Sequence, residues 1–224
     1  MLNKLKTKIS HMILKILKSF GMVAVVFYFI HVFLGQLLWS EYNPITTDIS
    51  SLTAVGAPNA ELIGIFTVIY GLCFVIFAIA MVIESFNEKY NSITKLGFIF
   101  LLSMAIISLI GFGLFPLSPD KTVLNFQNMM HIIITGITVL FTIIFLFLLG
   151  IGFLKKEKFK KLGKISLGVA ILIIIFGILN PISMALDLNI LGLTERLVIF
   201  TLELFIFFLS FIYTFNISSF IKKR

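Results

Sequence analysis

Apolar runs of roughly twenty residues recur along this chain, separated by short stretches in which hydroxyl, amide, acidic and lysine side chains gather. Twenty residues of helix cover about 30 Å, the thickness of a hydrocarbon core. Six such runs predict membrane-spanning helices over about 20–39, 60–83, 96–115, 126–154, 165–186 and 194–216. Within a bilayer a helix satisfies its own backbone. The predicted fold is therefore all-α, a six-span transmembrane bundle in one integral membrane domain over 1–224. Residues 1–18 carry Lys4, Lys6, Lys8, Lys15 and Lys18 among Leu and Ile, and read as a basic amphipathic lead-in resting on anionic headgroups. Its junction with the first run resembles a secretory signal, but no small-residue cleavage site follows, so that run is expected to remain as a span.

The connections differ in kind. Residues 40–59 hold two prolines, Asp48 and many hydroxyls, yet also Ile, Leu and Val, which predicts a segment packed back over the bundle. Asn59 stands where an N-cap would, with Glu61 in the first turn of the helix it opens. Pro116 and Pro119 end the third helix, because proline cannot donate the helical hydrogen bond. Pro181 predicts a kink near the outer end of the fifth.

Composition sharpens this picture. With 59% hydrophobic residues, only 12% charged and a mean hydropathy of +1.13, a water-soluble domain is excluded. Of the 18 basic residues, all but Lys121 and Arg196 fall on one side of the predicted topology. Positive charge kept in short loops marks the cytoplasmic side, so both termini are expected to be cytoplasmic. The net charge of +8 then reports topology and anionic lipid, and nucleic acid is not expected as a partner. Cys73 is the sole cysteine, which excludes an intramolecular disulfide.

The acids show the opposite bias. Glu41, Asp48, Glu61, Asp120, Asp187 and Glu195 gather at the outer side, with His131 and Arg196 among them. His31 and Glu203 lie deeper, each about eight residues from its helix end, or roughly 12 Å. Ionisable groups at that depth face the bundle interior. Together these residues predict a polar funnel open to the outside, floored by His31 and Glu203 where their helices touch. A ligand set of Asp48, Asp120, His131, Glu195, Arg196 and Glu203 follows. Each also has a structural reading: His131 capping a loop carbonyl, His31 bonded to a neighbouring backbone, Glu195 and Arg196 as an interfacial anchor. Metal chemistry would draw on His31, His131 and Glu203, without HExxH-type spacing to support it. Serine chemistry would take Ser50 or Ser51 as nucleophile, His131 as base and Asp120 as orienter. A transporter would need a polar path inward, and the inner halves of the helices are apolar. No cofactor is indicated.

The segments DISSLTAVGAPN, FPLSPD, His131 at the head of helix four and GLTERL, in that order, resemble a family of six-helix prokaryotic membrane proteins known as domain of unknown function nine-nine-eight. The likeness covers roughly residues 15–218 and carries over Asp48, Ser50, Pro116, Asp120, His131, Glu195 and Arg196. It implies the fold and the outer cluster, and no activity; the location expected is a bacterial cytoplasmic membrane. A fainter likeness to membrane-embedded hydrolases of the ceramidase and progestin-receptor type rests on Ser, Asp and His. This chain has fewer histidines and six spans in place of seven.

Overall fold

The structure is a computed structural model and describes residues 2–121, 123–156, 159–217 and 220, with side chains at 9 and from 11 onward. Six helices account for nearly all of them: α1 Leu2–Leu37, α2 Ala60–Asn87, α3 Ser92–Leu114, α4 Phe126–Leu154, α5 Lys160–Ala185 and α6 Leu191–Phe215, with a short 3-10 helix, Ile49–Thr53, between α1 and α2. All six are long and apolar enough to cross a membrane. The chain is a multi-pass, all-helical membrane protein.

Several ends differ from those the apolar runs predict. The lead-in and first span form one helix, since nothing between Leu2 and Leu37 breaks it. Of the expected basic face, Lys158, Lys222, Lys223 and Arg224 lie outside the described residues, as do the side chains of Lys4, Lys6 and Lys8. At Ser210 the α6 hydroxyl meets α1 across this junction, accepting from the Met22 amide at 3.0 Å and donating to the Lys18 carbonyl at 2.7 Å. Beside it Lys18 pairs with Glu84 of α2 at 3.1 Å. Helix α3 begins at Ser92 because Asn91 caps it, accepting from the Thr94 amide at 2.9 Å. Helices α5 and α6 each start earlier than predicted, α5 through a lysine-rich turn and α6 through Leu191. Pro181 sits inside α5, which continues to Ala185. Asn59 occupies the position before α2 but does not cap it. Its backbone is left-handed (φ 58°) and its amide donates to the Leu38 carbonyl at 3.3 Å.

Each helix packs on its chain neighbours, and α6 returns to α1, closing a ring. Helix α6 is the most enclosed: 56% of its apolar window is buried against 28–33% in the others. Through Tyr213 it reaches Phe98 of α3 (ring centroids 6.3 Å), and through Glu203 it reaches Tyr70 of α2. The main core runs through Phe74, Phe77, Phe98, Phe145, Ile206 and Leu209. Glycine brings α3 and α4 together, as small residues do between membrane helices. A Cβ on Gly152 would meet the Thr94 amide nitrogen at 2.8 Å. A smaller apolar cluster of Tyr28, Val32, Tyr42, Ile49, Leu52 and Ile63 lies beneath the 40–59 connection, which folds back over the bundle.

Candidate functional site

The 40–59 connection is held down by the first turns of α6. Gly192 lets the helix start against the Thr47 and Pro44 carbonyls, where any Cβ would collide with backbone. The Leu193 amide then donates to the Ile45 carbonyl at 2.9 Å. One turn on, Arg196 is buried and its guanidinium donates to the Thr47 carbonyl at 3.1 Å, the Gly192 carbonyl at 2.8 Å and the Tyr42 phenol at 2.6 Å. The Tyr42 ring also lies 5.5 Å from the guanidinium carbon. Glu195 accepts from the Ile49 amide at 2.5 Å. An arginine fork suits two carbonyls and a phenol, and α6 thereby clamps the turn from Tyr42 to Ile49. Burial pushes the Tyr42 phenol up to about 12, opposed by the hydrogen bond and charge of Arg196.

Asp48 opens the 3-10 helix. Its carboxylate accepts from the Ser51 amide at 3.1 Å and the Ser51 hydroxyl at 2.9 Å. It also pairs with Lys121 of the 115–125 connection, whose ammonium reaches the Ser51 hydroxyl at 3.2 Å. The Lys121 side chain is 44% exposed and that of Asp48 11%. The two connections are joined again by the Val55 amide on the Leu117 carbonyl at 2.8 Å. Within the second connection, Asn125 caps α4, and Asn128 holds the turn by accepting from the Ser118 amide and donating to the Asp120 and Val123 carbonyls.

The sequence-derived candidates thus separate into three groups. Asp48, Glu195 and Arg196 come together at the 40–59 connection, joined by Tyr42, Ser51 and Lys121. Asp120 lies in the neighbouring connection and His131 in the second turn of α4. Asp120 is exposed, and the His131 ring bonds the Phe115 carbonyl through Nδ1 at 2.8 Å, so that nitrogen carries the hydrogen. Ser50 lies beside Ser51, and it is Ser51 that faces Asp48. His31 and Glu203 do not meet: His31 Nδ1 bonds the Tyr28 carbonyl at 2.8 Å, and Glu203 accepts from the Tyr70 phenol at 2.7 Å. Counted from the observed helix ends, His31 is about 9 Å and Glu203 about 18 Å down, a full turn and more apart. Among the described residues no three His, Cys, Asp or Glu side chains stand close enough to share a metal ion, and His31, His131 and Glu203 keep separate partners.

Tyr42, Lys121 and Tyr70 are additions to the predicted set. Tyr70 had a signal, a lone tyrosine in the middle of an apolar span. Lys121 had one too, as a lysine against the charge bias of the predicted topology. Neither the curated proteins nor the solved structures contain a match to this chain. Residues 22–212 match the model of a family described as protein of unknown function (DUF998), and the chain belongs to that family.

Proposed function

We propose that the end of the bundle closed by the 40–59 and 115–125 connections binds a polar ligand at the membrane surface, and that a lipid headgroup is its best occupant. The observation that carries this is the Asp48–Ser51–Lys121 cluster. It is a charged pair with a hydroxyl in which Asp48 and Ser51 are buried and Lys121 is open to solvent, and the chain on either side of Lys121 carries exposed apolar side chains: Leu114, Leu124 (79% exposed) and Phe126. A cation on a mobile stem next to apolar surface suits an amphiphile whose phosphate meets Lys121 while its chains lie along the helices. The bias of sixteen basic residues towards the other end supports reading this end as facing the outer leaflet of a bacterial cytoplasmic membrane, with anionic lipid at the lysine-rich face.

The test is native mass spectrometry of the protein carried from phosphatidylglycerol vesicles into mild detergent. Wild type retains phosphatidylglycerol and Lys121→Ala loses it with unchanged helical content, whereas Asp48→Asn, which frees Lys121 from its carboxylate, retains more than wild type. Equal retention in all three refutes the site. A second reading, a serine hydrolase, draws on Ser51 lying within hydrogen-bond reach of Lys121, as in Ser-Lys nucleophiles. Against it, the Ser51 hydroxyl donates to Asp48, and Lys121 is paired with that same carboxylate, so neither is directed at the other as nucleophile and base.

A further inference from the structure

Glu203 takes no part in the surface cluster and is the most unusual group in the molecule. From Leu191 to Glu203 is about 18 Å of helix, well inside the span. The residue is 1% exposed. Tyr70 donates to Oε1, whereas Oε2 is fully covered by protein atoms and receives no hydrogen bond. Around it the Tyr28 and Tyr70 rings pack at 4.9 Å, Tyr70 and Phe74 at 5.7 Å, and Phe29 and Phe200 at 5.0 Å.

No countercharge is paired with it among the described residues. The titratable groups on this half of the elements packed here are Tyr28 and His31 on α1, Glu61, Tyr70 and Cys73 on α2, and Glu195 and Arg196 on α6 itself, with Asp48 in the connection above. His31 is committed to the Tyr28 carbonyl. Arg196 is committed to Thr47, Gly192 and Tyr42, two turns higher. Lys160, Lys161 and Lys164 of α5 lie at the other end of the bundle. An anion at this position would have one phenol and no cation, in a medium where an uncompensated charge is very costly. A water or an ammonium ion needs a void of at least probe size beside the oxygen it serves. Oε2 has protein against it on every side. The cation that fits is a proton.

We infer that Glu203 is a proton-binding site inside the membrane: its carboxyl carries a proton while α6 is seated on α1 and α2, with Tyr70 as the positioning residue, and releases it to water only when that seam opens. The step balances simply. The acid O–H bond breaks, its electron pair stays on the carboxylate, and the proton passes to water admitted between the helices. Any opening of this seam is thereby linked to loss of the proton. The inference stands apart from the headgroup reading, since it uses none of Asp48, Ser51 or Lys121.

Infrared spectroscopy of the protein in lipid bilayers at neutral pH tests it. Wild type shows the carbonyl stretch of a protonated carboxylic acid, and Glu203→Gln loses it. Tyr70→Phe keeps the band but moves it to higher frequency, because the Oε1 carbonyl has lost its donor; a merely space-filling Tyr70 would leave it in place. A folded wild type without the band, or a band that survives in Glu203→Gln, overturns the assignment. Should Glu203→Gln fail to fold, Tyr70→Phe decides: a shifted band supports the site and an unshifted one overturns it.

Discussion

Arg196→Ala is the most informative perturbation of the loop clamp. It removes three hydrogen bonds from a charged donor, to Thr47, Gly192 and Tyr42. Each is worth roughly 1.5–3 kcal/mol when the donor is ionised. The full sum does not appear, because alanine also relieves the cost of burying a guanidinium. Some ties survive as well: Tyr42 still donates to the Thr47 or Asp48 carbonyl, Leu193 to Ile45, and Ile49 to Glu195. A net loss of about 2–4 kcal/mol in closure of the 40–59 connection is expected. At 1.4 kcal/mol per decade that is a rise in loop opening of roughly 30- to several-hundred-fold. Hydrogen exchange read by mass spectrometry reports it at the amides of Ile49, Ser51, Ala54 and Val55, all of which have acceptors in the closed state. Arg196→Lys, which keeps the charge and loses the fork, should fall between. The main core lies elsewhere, so α3 and α4 should exchange as in wild type. Unchanged protection over 45–55, or an equal loss in every helix, would refute the clamp.

Other substitutions probe the remaining joints. Gly152→Ala drives a methyl into Thr94 backbone and should cost about 1–3 kcal/mol, whereas Gly168→Ala faces open space and should stabilise by about 0.5–1 kcal/mol; thermal unfolding in one detergent compares them. Lys18→Met or Glu84→Leu alone strands a nearly buried charge and should cost about 3 kcal/mol, while the double replacement recovers most of it; strictly additive losses in the double-mutant cycle would contradict the pairing. The Tyr42 phenol is raised from 10.0 to about 12 by burial. Its neutral form is the one favoured in the fold, so its contribution is complete below pH 10 and is lost as pH climbs towards 12. Protection of the 40–59 connection should decline over that window in wild type and stay level in Tyr42→Phe.

The spans were legible because lipid demands long uninterrupted apolar runs, and that signal needs no partner. Helix ends were not. Lysine-bearing turns such as 160–164 continue α5 beyond its apolar run, and the Asn91 cap shows only in the geometry it makes. In the site, acids and arginine stood out because charge is scarce in this chain. His131 and His31 do bond backbone carbonyls, as their structural readings expected, but which carbonyl they and Arg196 take was not legible, since a carbonyl has no identity in a sequence. The pairing of His31 with Glu203 failed on depth. α6 begins at Leu191 and α1 ends at Leu37, which sets Glu203 level with the tyrosines of α1 and α2 and leaves His31 nearer the surface.

The enclosure of α6 bears on how the protein is made. Helix α6 leaves the ribosome after the other five, yet it carries Arg196 and Glu203 and has more of its apolar window buried than any of them. Ionisable side chains are costly to place in lipid without partners, so α6 is a poor candidate for insertion alone. What makes its insertion favourable is a groove already waiting: Tyr70 for the carboxyl, Tyr42 and the Thr47 carbonyl for the guanidinium, the Lys18–Met22 turn for the Ser210 hydroxyl. Until it arrives, α1 and α5 have no neighbour to close the ring, and the first five helices present that groove to lipid. The ring of six helices therefore closes with its most enclosed span, and any delay there prolongs the life of an open, five-helix intermediate.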